Sequence, residues 1–190
     1  MRATLRLVPA AAALAAVAAC SDPLKVKATA DVFTDTLTVY ALNRSPSYFP
    51  SAVNTLTAGV IAPTTPASFD VALDIDDQGR AVIYPNKLVA GTLYSTHRVG
   101  TQIVSTAFES LTSAPRGNYN YDAPAVAPPN TVVAIAADNP ACSTALATTI
   151  YSKVVVDTVA SSAPAPYLKV RITVDPNCGF RSFLPGIPKD

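Results

Sequence analysis

Three cysteines, one histidine, a run of aspartates and two groups of tyrosines are the residues of this chain whose types and spacing could do chemistry. The thiols are Cys20, Cys142 and Cys178, and none belongs to a C-x-x-C pair, the spacing of a dithiol redox centre. His97 is the only imidazole, so any general base, triad or zinc site that needs histidine must use it. No G-x-S-x-G or H-E-x-x-H motif surrounds it. A small hydrolase would have to gather a distant Ser and Asp around His97 in space; the simpler expectation is an exposed or half-exposed residue at the start of a strand. Asp74, Asp76 and Asp77 followed by Gly79 match the opening of a calcium loop, D-x-D with glycine sixth. Gln78 stands at the fifth position, however, and Pro85 at the twelfth, where a bidentate Glu is needed. The same residues make a turn. Tyr119 and Tyr121, and separately Tyr48 with Phe49 between Pro46 and Pro50, could stack on a sugar or a partner. Tryptophan is absent, and anchoring of loops is the competing expectation. No catalytic residue and no cofactor follow from these patterns.

The first residues carry a different kind of chemistry. Met1-Arg2 and Arg6 give a positive start, Leu5 to Ala19 is apart from Arg6 an apolar run broken once at Pro9, and Val17-Ala18-Ala19 leads into Cys20. This leader resembles the signal peptide of bacterial lipoproteins, with a V-A-A-C lipobox. The resemblance covers about a tenth of the chain and does not extend to the domain that follows. It implies cleavage before Cys20, a thioether from the Cys20 sulfur to diacylglycerol, and two or three acyl chains such as palmitate holding the protein to a membrane. Ser21, rather than Asp, after the lipidated cysteine implies the outer membrane in a Gram-negative host; in a Gram-positive host the protein would stay on the outer face of the plasma membrane. Ala16-Val17-Ala18 also satisfies the small-x-small rule of an ordinary signal peptide, but that cleavage leaves an odd number of cysteines in an exported protein. The run is shorter than the ~20 residues that span a bilayer. With Cys20 lipidated, Cys142 and Cys178 remain as an even pair outside the cytoplasm, where disulfides persist. Their bridge would close a loop worth about 3.8 kcal/mol in the chain-entropy model.

Without residues 1 to 19 the chain loses Arg2 and Arg6, so 14 minus 2 basic residues stand against 13 acidic ones, a net charge of −1. Nothing in that balance attracts nucleic acid. Glu109 is the one glutamate and Met1 the one methionine, while the chain holds 17 prolines and many Thr and Val. Straight-chain helix formers are scarce; strand formers and helix breakers abound. The expected fold class is all-β: an antiparallel β-sandwich of about eight to nine strands, with a closed β-barrel as the alternative.

Period-two alternation locates the elements. Phe69, Val71, Leu73 and Ile75, the inward set, interleave with Asp70, Ala72, Asp74 and Asp76, the outward set of a half-buried strand, and Asp77-Gln78-Gly79 turns the chain into Ala81 to Tyr84, a hairpin over 68–85 that Pro85 ends. Thr149 to Val159, a Ser/Ala/Pro loop, and Leu168 to Val174 make a second hairpin. Weaker strands are expected at Lys25 to Phe33, Thr36 to Leu42, Thr55 to Ile61, His97 to Val104 and Thr131 to Ala137. Residues 112–130 read as irregular, and Phe180 and Phe183 as folding back onto the domain. The organisation is thus a leader (1–19), a lipidated short tether (20–24) and one β domain (25–190). The expected role is that of a membrane-anchored envelope lipoprotein acting in structure, binding or assembly, its partner the membrane, with an envelope protein or glycan as the further candidate. A glycan- or peptide-binding module using the loop tyrosines and a His97 hydrolase are the alternatives.

Overall fold

The computed structural model describes residues 27–64, 68–91, 97–142 and 147–189; the leader, the lipobox and Cys20 lie outside them. Ten strands form two five-stranded antiparallel sheets. In chain order they are β1 (Phe33–Tyr40), β2 (Ala52–Asn54), β3 (Gly59–Ile61), β4 (Val71–Ile75), β5 (Ala81–Pro85), β6 (Val99–Val104), β7 (Ala125–Ala127), β8 (Val132–Asp138), β9 (Thr149–Ala160) and β10 (Tyr167–Asp175), with one short helix, α1 (Asn86–Ala90). The larger sheet runs β1-β10-β9-β8-β6 and the smaller β3-β2-β4-β5-β7. They are not joined into a barrel, so the architecture is a β-sandwich.

Both expected hairpins are present, β4 with β5 and β9 with β10. Their inward sets, Val71, Leu73 and Ile75 from one sheet and Val154, Val156, Leu168, Val170, Ile172 and Val174 from the other, meet in a single core. Burying each such side chain contributes roughly 1.5–3 kcal/mol, which fixes the register, since a slip by one residue would turn the whole set outward.

Three expectations about the elements are corrected. The strands placed at 25–33 and 36–42 are one strand, because β1 pairs continuously with β10 from Phe33↔Val174 to Tyr40↔Tyr167. Residues 27–31 precede it without strand pairing; they are tied down by a side chain instead, Thr29 N and Ala30 N both donating to Asn177 Oδ1 and Asn177 Nδ2 to Ala30 O. Thr55 to Ile61 is no strand but the turn and second arm of a three-residue hairpin, β2 with β3. Finally, the irregular stretch 112–130 contains β7, which extends the smaller sheet by pairing with β5.

The larger sheet has a second layer on its outer face. Phe108, Leu111, Ala114 and Phe183 pack there against Val132 and Val155, so Phe183 does fold back onto the domain. The opposite face of β4 is also covered, by Ala52, Phe69 and Ala72 with Leu42, Ile61 and Val89 around them. Cys142 and Cys178 are joined, their sulfurs 2.12 Å and their Cα atoms 5.6 Å apart, tying the loop before β9 to the segment after β10.

Candidate functional site

The pairing of β1 with β10 sets two aromatic residues opposite each other at one end of the larger sheet, Tyr40 and Tyr167, ring centres 6.3 Å apart and edge to face. The chain then turns at 43–50. Phe49 N donates to Pro46 O and Tyr40 N to Pro50 O, both at 2.9 Å, and Ser45 Oγ donates to Pro166 O at 2.9 Å. Two prolines with fixed φ hold that turn stiffly. It lays Phe49 flat on Tyr40, centroids 4.5 Å apart and planes 15° from parallel, and sets Tyr48 4.8 Å beyond. The result is a row Tyr167-Tyr40-Phe49-Tyr48 whose outermost ring is 73% exposed. Stacked aromatic faces of this kind accept the apolar face of a sugar or the side chains of an extended peptide.

Tyr119 and Tyr121 are not part of that row. They lie at the opposite edge of the sheet, over β6, where Gly100 leaves room for them: a Cβ there would meet Tyr121 Cε1 at 2.6 Å and Tyr119 Cβ at 2.9 Å. Tyr119 donates its hydroxyl to Pro115 O at 3.2 Å and leans on Tyr151; burial pushes its phenol well above the usual range. Tyr121 lies under the Arg98 guanidinium, 3.6 Å from its ring centre. Both rings are thus engaged in covering the sheet. Beside them, between the edge strands β6 and β7, an uncharged cleft of about 390 Å³ is lined by Thr101, Gln102, Ile103, Asn118, Asn120 and Pro124, among others.

His97 is half-exposed as a residue, within the expectation of an exposed or half-exposed position, but its side chain is turned inward. Its side chain is 7% exposed, and Nε2 lies 2.7 Å from Oδ1 of Asp70, itself 3% exposed. The other carboxylate oxygen accepts from Thr55 N and Thr55 Oγ1, both at 2.6 Å. A buried carboxylate fixes the orientation of an imidazole, as in a catalytic dyad. The Thr55 hydroxyl, however, donates to the carboxylate and not to the ring, which spends it as a structural donor. Asp70 was legible only as the solvent side of an alternating strand, and nothing in the sequence couples it to His97.

The aspartates of the hairpin turn are engaged one by one. Asp74 accepts from Asn43 N and Asn43 Nδ2. Asp76 accepts the Gln78 and Arg80 amides and pairs with the Arg80 guanidinium at 2.7 Å; those contacts, the Arg80 amide first, hold its carboxyl below the usual range. Asp77 pairs with Arg44 at 2.5 Å. Among the described residues no group of three or more His, Cys, Asp or Glu side chains is placed to hold a metal ion.

No family model, curated protein or solved structure matches this chain. Its functional surfaces therefore rest on their own geometry, and among the described residues the aromatic row is the one that ends in a largely exposed ring, Tyr48.

Proposed function

We propose that this chain is a lipid-anchored lipoprotein of a bacterial envelope, held to a membrane through Cys20 and presenting a β-sandwich as a binding or assembly module. The observation that carries the reading is the disposition of the cysteines. Cys142 and Cys178 sit at bonding distance in the fold, which leaves Cys20, next after Val17-Ala18-Ala19, as the one thiol without a disulfide role and the one in a lipobox. In a Gram-negative host, Ser21 favours the outer membrane.

The glycan- or peptide-binding form of this reading gains support from the aromatic row. The chain enters the domain at Thr29 and Ala30, beside Asn177 and the start of β1, whereas Tyr48 and its neighbours lie where β1 ends and β10 begins. An anchor at one end and open rings at the other suit a module that reaches away from the membrane.

Labelling cells with a radioactive fatty acid tests the anchor: the native chain takes up label and the Cys20→Ala chain accumulates as unlabelled precursor. Normal labelling of Cys20→Ala overturns the anchor. Tyr48→Ala, which removes an exposed ring without touching the core, is expected to leave the label unchanged and to weaken retention on purified envelope glycan.

A further inference from the structure

At the end where the chain enters the domain, the C-terminal segment pairs with residues 112–114 and leaves a cleft of about 610 Å³ between them. The seam is closed by Ala114 N donating to Arg181 O and Phe183 N to Thr112 O, each at 2.8 Å. Arg116, Arg181 and Lys189 line the cleft, and no Asp or Glu is among its described lining residues. Three cations among the described lining residues do not reflect a basic surface in general, since the chain without its leader carries a net charge of −1. Arg181 is held in place. Its Nη2 donates to Ala114 O and its guanidinium rests 5.4 Å from the Tyr151 ring, with Nε turned into the protein, so the group is fixed at the wall of the cleft. A guanidinium fixed at a cleft wall, with two further cations beside it, is the kind of group that takes a phosphate oxygen.

The rim of the same cleft is apolar. Leu184, which lines it, is 55% exposed, and Ile187, three residues on and just before the lining residues Pro188 and Lys189, is 51% exposed. Cations beside exposed aliphatic side chains are the composition of a surface that rests in the headgroup layer of a membrane. The position agrees. Asn177 holds Thr29 and Ala30, and Val32 pairs with Gly186, so this surface adjoins the point of entry. The nine residues from Cys20 to Thr29 reach about 30 Å at most when extended.

We propose that the cleft seats the phosphate of an anionic phospholipid headgroup, with Arg181, Arg116 and Lys189 around the phosphate and Leu184 and Ile187 against the acyl boundary. The domain is thereby docked on its membrane rather than merely leashed to it. The proposal rests on the membrane-anchored reading, and its test is independent of acylation.

The full mature chain carrying Cys20→Ser is titrated with monomeric dihexanoyl phosphatidylglycerol, with dihexanoyl phosphatidylcholine and with inorganic phosphate, following the Arg181 Nε–H resonance by NMR. Phosphatidylglycerol should produce a saturable shift at concentrations where the other two produce little. Arg116→Ala and Lys189→Ala, both exposed positions, should each weaken it about fivefold, the loss expected for one cation at an anionic lipid surface. Arg44→Ala, at the other end of the domain, should not. No saturable shift with any probe overturns the proposal. Equal affinity for inorganic phosphate would mean a soluble-anion site, and equal affinity for phosphatidylcholine an apolar one; either overturns it too. Loss of fatty-acid labelling at Cys20 is a separate result, so failure of the anchor and failure of the cleft are told apart.

Discussion

Lys153 lies in the middle of β9, 3% exposed, on the outer face of the larger sheet. Its Nζ donates to Phe108 O at 2.5 Å and Leu111 O at 3.0 Å and stands 4.4 Å from the Phe108 ring centre. The lysine thus closes the carbonyls of the short turn at 108–110, which Arg171 grips from outside through Glu109 at 2.6 Å. Desolvation lowers the Lys153 ammonium below its ordinary 10.5. Between the folded value and 10.5 the unfolded chain binds the extra proton, so stability rises with pH across that window. Lys153→Met keeps the stem but orphans two carbonyls, and should cost about 1–3 kcal/mol. The stability difference between native and variant, measured by denaturant titration, should widen as pH climbs toward 10.5. Tyr119, whose raised phenol acts in the opposite sense above pH 10, cancels in that difference. A gap independent of pH would show that Lys153 pays no desolvation cost in the fold. None of this was legible in the sequence, where Lys153 looks like a solvent-facing charge in a β-branched strand.

At the scale of elements, strands with long partners were the readable ones. The β9–β10 and β4–β5 hairpins alternate cleanly and carry their turns with them. Short strands were not readable. In β2 and β3 three residues each are too few to show a period, and β7, Ala125-Val126-Ala127 between prolines, is a strand because β5 offers it an edge. Alternation also misled on β4, whose two faces are both buried: Asp70 and Asp74 occupy what looked like the solvent side and are satisfied there by Thr55, His97 and Asn43. Gly100 is a further element-scale feature. Its missing Cβ is what lets Tyr119 and Tyr121 close over β6. Gly100→Ala should therefore cost roughly 1–3 kcal/mol by overpacking. In a Tyr121→Ala background the same change should cost at least about 0.5 kcal/mol less, as neighbours in contact couple. Full additivity in that double-mutant cycle would mean that Tyr121 does not press on Gly100.

At the scale of the whole molecule, the two ends of the sandwich differ in chemistry. One end holds the chain entry, the disulfide and the cationic cleft with its apolar rim; the other holds the aromatic row and the β4–β5 turn, which Arg44 joins to the loop after β1. The sequence carried the fold class plainly, but not this polarity, because Arg116, Arg181 and Lys189 are scattered along the chain and are brought together through the seam at Ser113 and Ser182. The nine residues of β10 separate the ends by about 27 Å at the usual rise per residue. If the cleft holds lipid phosphate, that separation becomes a height above the membrane. With the lipidated protein in vesicles containing phosphatidylglycerol, a probe at Asp31→Cys should lie near the headgroups and one at Gln78→Cys about one strand length farther out, each with a narrow distance distribution. In the Arg116→Ala, Lys189→Ala chain both distributions should broaden, because the tether alone allows the domain to turn. Equal depths for the two probes in the native chain would show the sandwich lying on its side, with the aromatic row facing along the membrane rather than away from it.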